Sequence, residues 1–253
     1  MNNSNDSNYS NLDQAHLDFI STVSHELRTP LTSIRGFADT LLNSYERLSP
    51  EQRQKFLYTI KDQSNRLIKL VENLLMVSKM QSEKEVLVYK SVNVAPIVES
   101  CVQMIKSQYK THKFCIDIEQ CLPFVLIDTD KFQQIIINLL DNAAKYSPES
   151  SSIKISIKQN SPAETVAVRI EDQGIGISKD NISKIFDKFS RIDSPLTRKI
   201  QGSGLGLYIT KNLIEKMNGK ISATSSDSGS VFTVEFPIAG FDDTCIMKLR
   251  EQP

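Results

Sequence analysis

The sequence has little or nothing of several features that mark particular classes of protein. It contains no tryptophan and only four cysteines, and none of the cysteines forms a C-x-x-C pair or has metal-type spacing to a histidine. The cysteine pattern therefore indicates reduced thiols in a cytosolic protein rather than a disulfide framework. Thirty basic residues balance thirty acidic ones, which argues against a nucleic-acid or anionic-membrane partner.

Long hydrophobic runs are also missing. Ile135-Ile136-Ile137 is typical of the longest apolar runs, which fall far short of the roughly 18 residues that a membrane span needs. The N-terminus has no signal-peptide apolar region. We predict no membrane span and a cytoplasmic location, either as a free protein or as the cytoplasmic part of a longer membrane receptor.

A helix with an exposed histidine is predicted near the N-terminus. Apolar residues recur at helical spacing over residues 19–41, and His25 points away from them on a polar face that includes Thr29. Pro30 stands one turn later, where it cannot donate to the carbonyl of Glu26 and bends the helix at a cost of roughly 3 kcal/mol. Proline is normally excluded from the interior of a helix, and such an exception beside an exposed histidine suggests a functional site.

A second helix should follow and form a hairpin with the first. Ser49-Pro50-Glu51-Gln52 is a capping-box signature, and the apolar residues after it recur at near-heptad spacing to about residue 82. One hairpin cannot bury both apolar stripes, so we predict a homodimer in which two hairpins form a four-helix bundle. The hairpin would occupy residues 12–83, after a disordered or linker segment at 1–11.

Strands and helices alternate in the rest of the chain. The pattern predicts strands near 86–90, 114–118, 124–127, 153–157, 166–170, 219–223 and 231–236, and helices near 93–109, 130–145, 181–186 and 204–218. The predicted fold class is thus α+β: a helical hairpin followed by an α/β two-layer sandwich over residues 86–238. Residues 239–253 would be a loose tail.

One predicted helix of the sandwich has a polar face that suits a metal and phosphate. Asn138, Asn142 and Lys145 stand at i, i+4 and i+7 beside Tyr146. Amide oxygens are good ligands for Mg²⁺, and lysine supplies a point charge for phosphate. Taken alone, such a face is more often a solvated surface.

Glycines strengthen the functional interpretation of that face. Six of the nine glycines lie between residues 174 and 219, most of them in Asp172-Gln173-Gly174-Ile175-Gly176-Ile177 and Gly202-Ser203-Gly204-Leu205-Gly206-Leu207. Glycine lets backbone N–H groups approach an anion closely, and the second cluster opens a helix whose N-terminus favours phosphate. Together these features suit a Mg²⁺-nucleotide. A P-loop, the protein-kinase motifs and a dinucleotide fingerprint are all absent.

Five motifs in order resemble those of sensor histidine kinases. Ser24-His25-Glu26-Leu27-Arg28-Thr29-Pro30 is similar to the phospho-acceptor box of the family, and four later motifs are similar to its N, G1, F and G2 boxes. These later motifs are Asn138…Asn142, Asp172-x-Gly174-x-Gly176, Phe186-x-x-Phe189 and Gly202-x-Gly204-x-Gly206. The resemblance covers about residues 12–238.

The resemblance implies a function and a role for each motif. His25 would be phosphorylated from ATP and would pass the phosphoryl group to an aspartate of a response-regulator receiver domain, with Glu26 as acid/base and Thr29 serving dephosphorylation of the regulator. ATP and Mg²⁺ would be the cofactors. By the same resemblance, Asn142 would bind Mg²⁺ with Asn138 beside it, and Asp172 would accept from the adenine amino group. Lys145, Tyr146 and Arg191 would contact the phosphates. The nucleotide would also contact the turns at Gly174, Gly176, Gly202, Gly204, Leu205 and Gly206, and residues 187–203 would form a mobile lid over it.

Two alternatives compete with this interpretation. The ATP-binding motifs also resemble those of Hsp90-, gyrase- and MutL-type ATPases, but those proteins have no histidine-bearing hairpin. A non-enzymatic dimeric scaffold for a regulator would be expected to have lost His25 or the glycines, and all of them are present.

Overall fold

The chain divides into two compact units, and the boundary along the sequence lies between Gln81 and Ser82. The structure is a computed structural model that describes residues 3–81, 86–190 and 203–239, with side chains from residue 20 onward. The predicted tail therefore lies outside the described residues, except for Ala239.

The first unit consists of two long helices, α1 (Asn3–Ser44) and α2 (Pro50–Gln81), joined through a 3₁₀ turn at Tyr45–Arg47. Helix α1 begins at Asn3, whereas the sequence predicted a helix from residue 12 and a disordered or linker segment before it. A lack of apolar residues prevents burial, but it does not prevent an existing helix from adding backbone hydrogen bonds. The helix also continues through Pro30.

The predicted capping box at the start of α2 is confirmed. The Ser49 N–H donates to Gln52 Oε1 at 2.9 Å, and the Gln52 N–H donates to Ser49 Oγ at 3.3 Å. Arg53 adds a second link, since its Nε donates to the Tyr45 carbonyl at 3.0 Å and its guanidinium lies 3.9 Å from the centre of the Tyr45 ring. The start of α2 is therefore capped by its own side chains and is also hydrogen-bonded to the turn that precedes it.

The hairpin buries only part of its apolar surface. Phe37 and Phe56 pack across the two helices with ring centroids 5.0 Å apart, and Leu70, Val77 and Met80 are buried on α2. Many other large apolar side chains of the two helices are exposed in the single chain: Ile20, Leu31, Leu42, Leu57, Tyr58, Ile68, Val71 and Leu75. None of the described helices combines the length and apolar composition needed to cross a membrane.

The second unit is built on a five-stranded mixed sheet in the order β2-β4-β5-β7-β6, beside a two-stranded antiparallel pair, β1-β3. Within the large sheet only β2 and β4 are parallel. The strands are β1 (Tyr89–Val92), β2 (Lys113–Ile118), β3 (Val125–Asp128), β4 (Ser152–Asn160), β5 (Thr165–Glu171), β6 (Lys220–Ser226) and β7 (Gly229–Pro237). The helices are α3 (Ala95–Gln108), α4 (Thr129–Tyr146), the short α5 (Lys179–Ile182) and α6 (Gly206–Lys216).

Alternation along the strands separates a buried face of the sheet from a charged one. Ile153, Ile155 and Ile157 of β4 are buried, on the side where α3, α4 and α6 pack against one another and against the sheet. The residues between them face outward, where Lys154 pairs with Glu171. The inward side of α4 is Phe132, Ile135, Ile136, Leu139 and Leu140, as predicted. The α/β sandwich is therefore confirmed.

Strand β1 starts three residues later than the sequence predicted. Val86 and Val88 were assigned to it, but they are 84% and 62% exposed. The ladder with β3 begins at Tyr89, opposite Asp128, and the Asp128 side chain accepts the Val88 N–H at 2.9 Å. The position of the partner strand decides where β1 begins.

We expect Ser49→Ala to destabilise the hairpin by about 1 kcal/mol, because the N-terminal turn of α2 loses its capping hydroxyl. Urea unfolding followed by circular dichroism measures the change. Ser44→Ala is the matched control, since the Ser44 side chain makes no capping hydrogen bond. Equal losses in the two variants would show that the capping box does not stabilise the hairpin.

Candidate functional site

Helix α4 carries the predicted amide face, and its start is firmly fixed. Asp128 Oδ1 accepts the backbone N–H groups of Asp130 and Lys131, each at 3.1 Å, which satisfies two of the otherwise unpaired donors of the first turn. Asn138 and Asn142 follow one turn apart, and both are half-buried. The amide of Asn138 donates from Nδ2 to Thr210 Oγ1 of α6 at 2.9 Å.

Lys145 forms an ion pair with Asp141, a residue to which the sequence motifs gave no role. Its Nζ is 2.5 Å from Asp141 Oδ2, and Asp141 Oδ1 accepts the Tyr109 hydroxyl at 2.7 Å. Burial, followed by the hydrogen bond to Asp141 and the charge of that carboxylate, raises the pKa of Tyr109 well above its usual range, so the hydroxyl stays a donor. The i,i+4 spacing of Asp141 and Lys145 could have identified this pair.

Asp172 occupies a buried position at the end of β5. Its Oδ1 accepts two backbone N–H groups, from Gly174 at 2.7 Å and from Ser230 at 3.2 Å. Burial raises the pKa of Asp172 above its ordinary value, although these two hydrogen bonds act in the opposite direction. Because both bonds end on Oδ1, Oδ2 is the oxygen that can meet a donor from a ligand.

The turn after Asp172 requires glycine for steric reasons. A Cβ at Gly174 would lie 2.6 Å from the Tyr146 carbonyl oxygen and 2.7 Å from Asp172 Oδ1, and Gly176 has a positive φ of 71°. The Ile175 N–H donates to the same Tyr146 carbonyl at 3.3 Å. The end of α4 and the turn after β5 are therefore in direct contact, as a single binding site would need.

The second glycine cluster leads into α6. Gly204 has a positive φ of 68°, and a Cβ there would lie 2.6 Å from the backbone carbonyl carbon of Phe189. Leu205 is fully buried, and Gly206 is the first residue of α6. Two predicted site residues, Arg191 and Gly202, lie outside the described residues, as does most of the predicted lid.

In the first unit, the predicted exposure of His25 on α1 is confirmed. Thr29 is also exposed, and its hydroxyl donates to the His25 carbonyl at 3.2 Å. Glu26 faces α2, where its Oε2 lies 3.3 Å from the Arg66 guanidinium. The Glu26 side chain is 17% exposed and the Arg66 side chain 23% exposed. Arg66 belongs to none of the motifs in the sequence.

Two family models match the chain, one in each unit. Residues 15–83 match the model described as the His Kinase A (phospho-acceptor) domain, and residues 127–240 match the model described as Histidine kinase-, DNA gyrase B-, and HSP90-like ATPase. The chain is 35% identical over 230 residues to the sensor protein kinase WalK of Staphylococcus haemolyticus, covering 89% of this chain and 37% of that protein. A WalK sequence from Staphylococcus aureus is 34% identical, and 54% of it is covered. The chain thus spans about a third to a half of the length of these relatives.

Solved structures share the fold. Histidine kinase ThkA, in complex with the response regulator protein TrrA, superposes with a TM-score of 0.70 at 26% identity, covering 88% of this chain and 61% of ThkA. Full-length ShkA in complex with AMPPNP gives 0.63 at 25% identity, covering 88% of this chain and 46% of ShkA.

Asp172→Asn should change how stability depends on pH. Asparagine can still accept both N–H groups through Oδ1, but it does not ionise. Because the folded pKa of Asp172 is raised, wild type loses stability relative to the variant as pH rises through that pKa. Urea unfolding at a series of pH values should show the difference in unfolding free energy between variant and wild type increasing with pH.

The matched control for this experiment is Asp227→Asn. Asp227 is exposed between β6 and β7, whereas Asp172 is buried. A difference between Asp172→Asn and wild type that stays constant over the pH range, or that decreases, contradicts the assigned effect of burial.

Proposed function

We propose, from the premise that the chain belongs to the sensor histidine kinase family, that it phosphorylates His25 with ATP and passes the phosphoryl group to an aspartate of a response regulator. The observation that carries the proposal is the combination, in one chain, of an exposed imidazole on α1 and a glycine turn bonded to the buried carboxylate of Asp172. ATP as the phosphoryl donor favours a cytoplasmic reaction, in a free protein or in the cytoplasmic part of a membrane-bound sensor.

The nucleotide is proposed to bind along the end of α4 and the turn after β5. Asp172 Oδ2 would accept the adenine amino group. Asn142, with Asn138 beside it, presents half-buried amide oxygens of the kind that bind Mg²⁺, and the ion would neutralise phosphate charge when bound. Lys145 and Tyr146 would contact the phosphates, with Asp141 and Tyr109 restraining the lysine ammonium.

The two glycine clusters and Arg191 complete this proposed binding site. Backbone N–H groups at the turn of Gly174 and Gly176 and at the start of α6, from Gly202 through Gly204 and Leu205 to Gly206, would approach the nucleotide. Arg191 would reach the γ-phosphate. The protein's contribution is mainly to position the groups and to neutralise charge.

The phosphorylation step is a direct transfer to the imidazole. A ring nitrogen of His25 attacks the γ-phosphorus, the bond to the β,γ-bridging oxygen breaks, and ADP leaves with those electrons. The ring gives up one proton, which Glu26 is proposed to accept. In the single chain the Arg66 guanidinium holds Glu26 against α2, about 100° around α1 from the exposed ring, so the role given to Glu26 rests on the family resemblance and not on this geometry.

The exposed apolar residues of α1 and α2 support a homodimer. Ile20 and Leu31 of α1 and Ile68, Val71 and Leu75 of α2 are between 42% and 58% exposed in the single chain. Pairing two hairpins into a four-helix bundle would remove these side chains from water at about 25 cal/mol per Å². The receiver domain of the regulator is the proposed second partner.

His25→Gln should abolish autophosphorylation while leaving ADP binding within about twofold, because His25 lies in a different unit from the nucleotide residues. Incubation with radiolabelled ATP and Mg²⁺ measures the phosphate, which should be acid-labile and base-stable. His16→Gln removes the other histidine of α1 and is the control. Label retained on the His25 variant would overturn the assignment, and ATP hydrolysis without labelling would favour an ATP-driven conformational machine.

Thr29→Ala should keep autophosphorylation and phosphotransfer but slow the loss of phosphate from the regulator several-fold, since the hydroxyl one turn from His25 is proposed to hold the attacking water. Decay of phospho-regulator in the presence of ADP measures this. Thr40→Ala is the matched control, because Thr40 is exposed on the same helix and makes the same bond to the carbonyl one turn earlier, at 2.7 Å. Identical decay with Thr29→Ala and Thr40→Ala would remove the phosphatase role.

A further inference from the structure

The carboxamide of Asn138 is held at both ends by α6. Its Nδ2 donates to Thr210 Oγ1 at 2.9 Å. At the other end, a Cβ added to Gly206 would lie 2.5 Å from Asn138 Oδ1, so this oxygen sits directly against the first residue of α6. Nδ2 and Oδ1 therefore contact two successive turns of the same helix.

Thr210 is the polar exception on the buried side of α6. The residue is 1% exposed, and its neighbours on that side are Ile209, Leu213 and Ile214. A buried hydroxyl is costly unless it is hydrogen-bonded, and the amide of Asn138 supplies the partner. The pair is thus a single polar contact within the apolar packing between α4 and α6.

We infer that Thr210 is a positioning residue of the proposed nucleotide site: it fixes the Asn138 carboxamide and so holds the glycine turn at the start of α6 against α4. The inference rests on the proposed function, which it deepens by adding a residue that the motifs do not contain. Asn142 lies one turn along α4 from Asn138, so the bond to Thr210 sets the distance between the proposed Mg²⁺ ligand and the glycine turn. Adenine recognition at Asp172 does not depend on this bond.

Serine should be able to replace Thr210, whereas valine should not. Valine has nearly the shape of threonine, yet it can neither accept nor donate, so the Asn138 N–H group would lose its partner in a half-buried place. Serine keeps the oxygen and loses only a methyl group. The two variants therefore separate the hydrogen bond from the packing.

The experiment is calorimetric titration of the protein with ADP and Mg²⁺, and separately with adenosine. Thr210→Val should weaken ADP binding about tenfold, Thr210→Ser should stay within about threefold of wild type, and adenosine affinity should be unchanged in both. Thr165→Val is the matched control, because the buried Thr165 hydroxyl has no hydrogen-bond partner among the residues that the structure describes and lies at the opposite end of β5 from Asp172.

A double-mutant cycle with Asn138→Ala tests the route of the effect. Once Asn138 is removed, adding Thr210→Val should change ADP affinity by less than about twofold, since the two residues act as a pair. Three results would each overturn the inference while the proposed function stands. The losses of ADP affinity from Thr210→Val and Asn138→Ala could be additive, the serine and valine variants could lose equal affinity, or ADP and adenosine binding could weaken equally. A wild-type protein that binds neither ADP nor ATP would overturn the proposed function itself, and this role with it.

Discussion

The proposed nucleotide site depends on one buried oxygen atom. Asp172 Oδ1 accepts N–H groups from the turn that follows it and from Ser230 of β7, so it ties a local turn to a strand that is distant in sequence. Gly229 makes this approach possible, because a Cβ there would collide with the Asp172 carbonyl oxygen. A single carboxylate therefore sets the turn, the start of β7 and the direction of its own second oxygen.

On α1, two neighbouring residues lie on different faces of the helix and have different surroundings. His25 is exposed, and Glu26 is held by Arg66 of α2. A helix turns by about 100° per residue, so consecutive side chains cannot share one environment. The segment around His25 thus combines an exposed side chain with one that packs inside the hairpin, and its sequence must satisfy both.

Much of the fold could be predicted because its signals are local. The capping box at Ser49 and Gln52 depends on residues three apart, and it is present in the structure. The start of β1 could not be predicted in the same way, because a strand begins where its partner does and the pairing of Tyr89 with Asp128 spans distant parts of the chain. The fold class, the exposed histidine and the grouping of α4 with the first glycine turn all agree with the prediction.

The sequence by itself determined which groups are available: the exposed histidine on α1, the amides of α4 and the glycines of the turns, because residue type and spacing along a helix are local properties. Only the tertiary structure decided which partner each group has. It joined the local pair of Lys145 and Asp141 to Tyr109, and it placed Asn138 against Thr210 of α6. These partners come from segments far apart in the chain and meet only because apolar packing of α3, α4 and α6 on the sheet brings them within hydrogen-bonding distance.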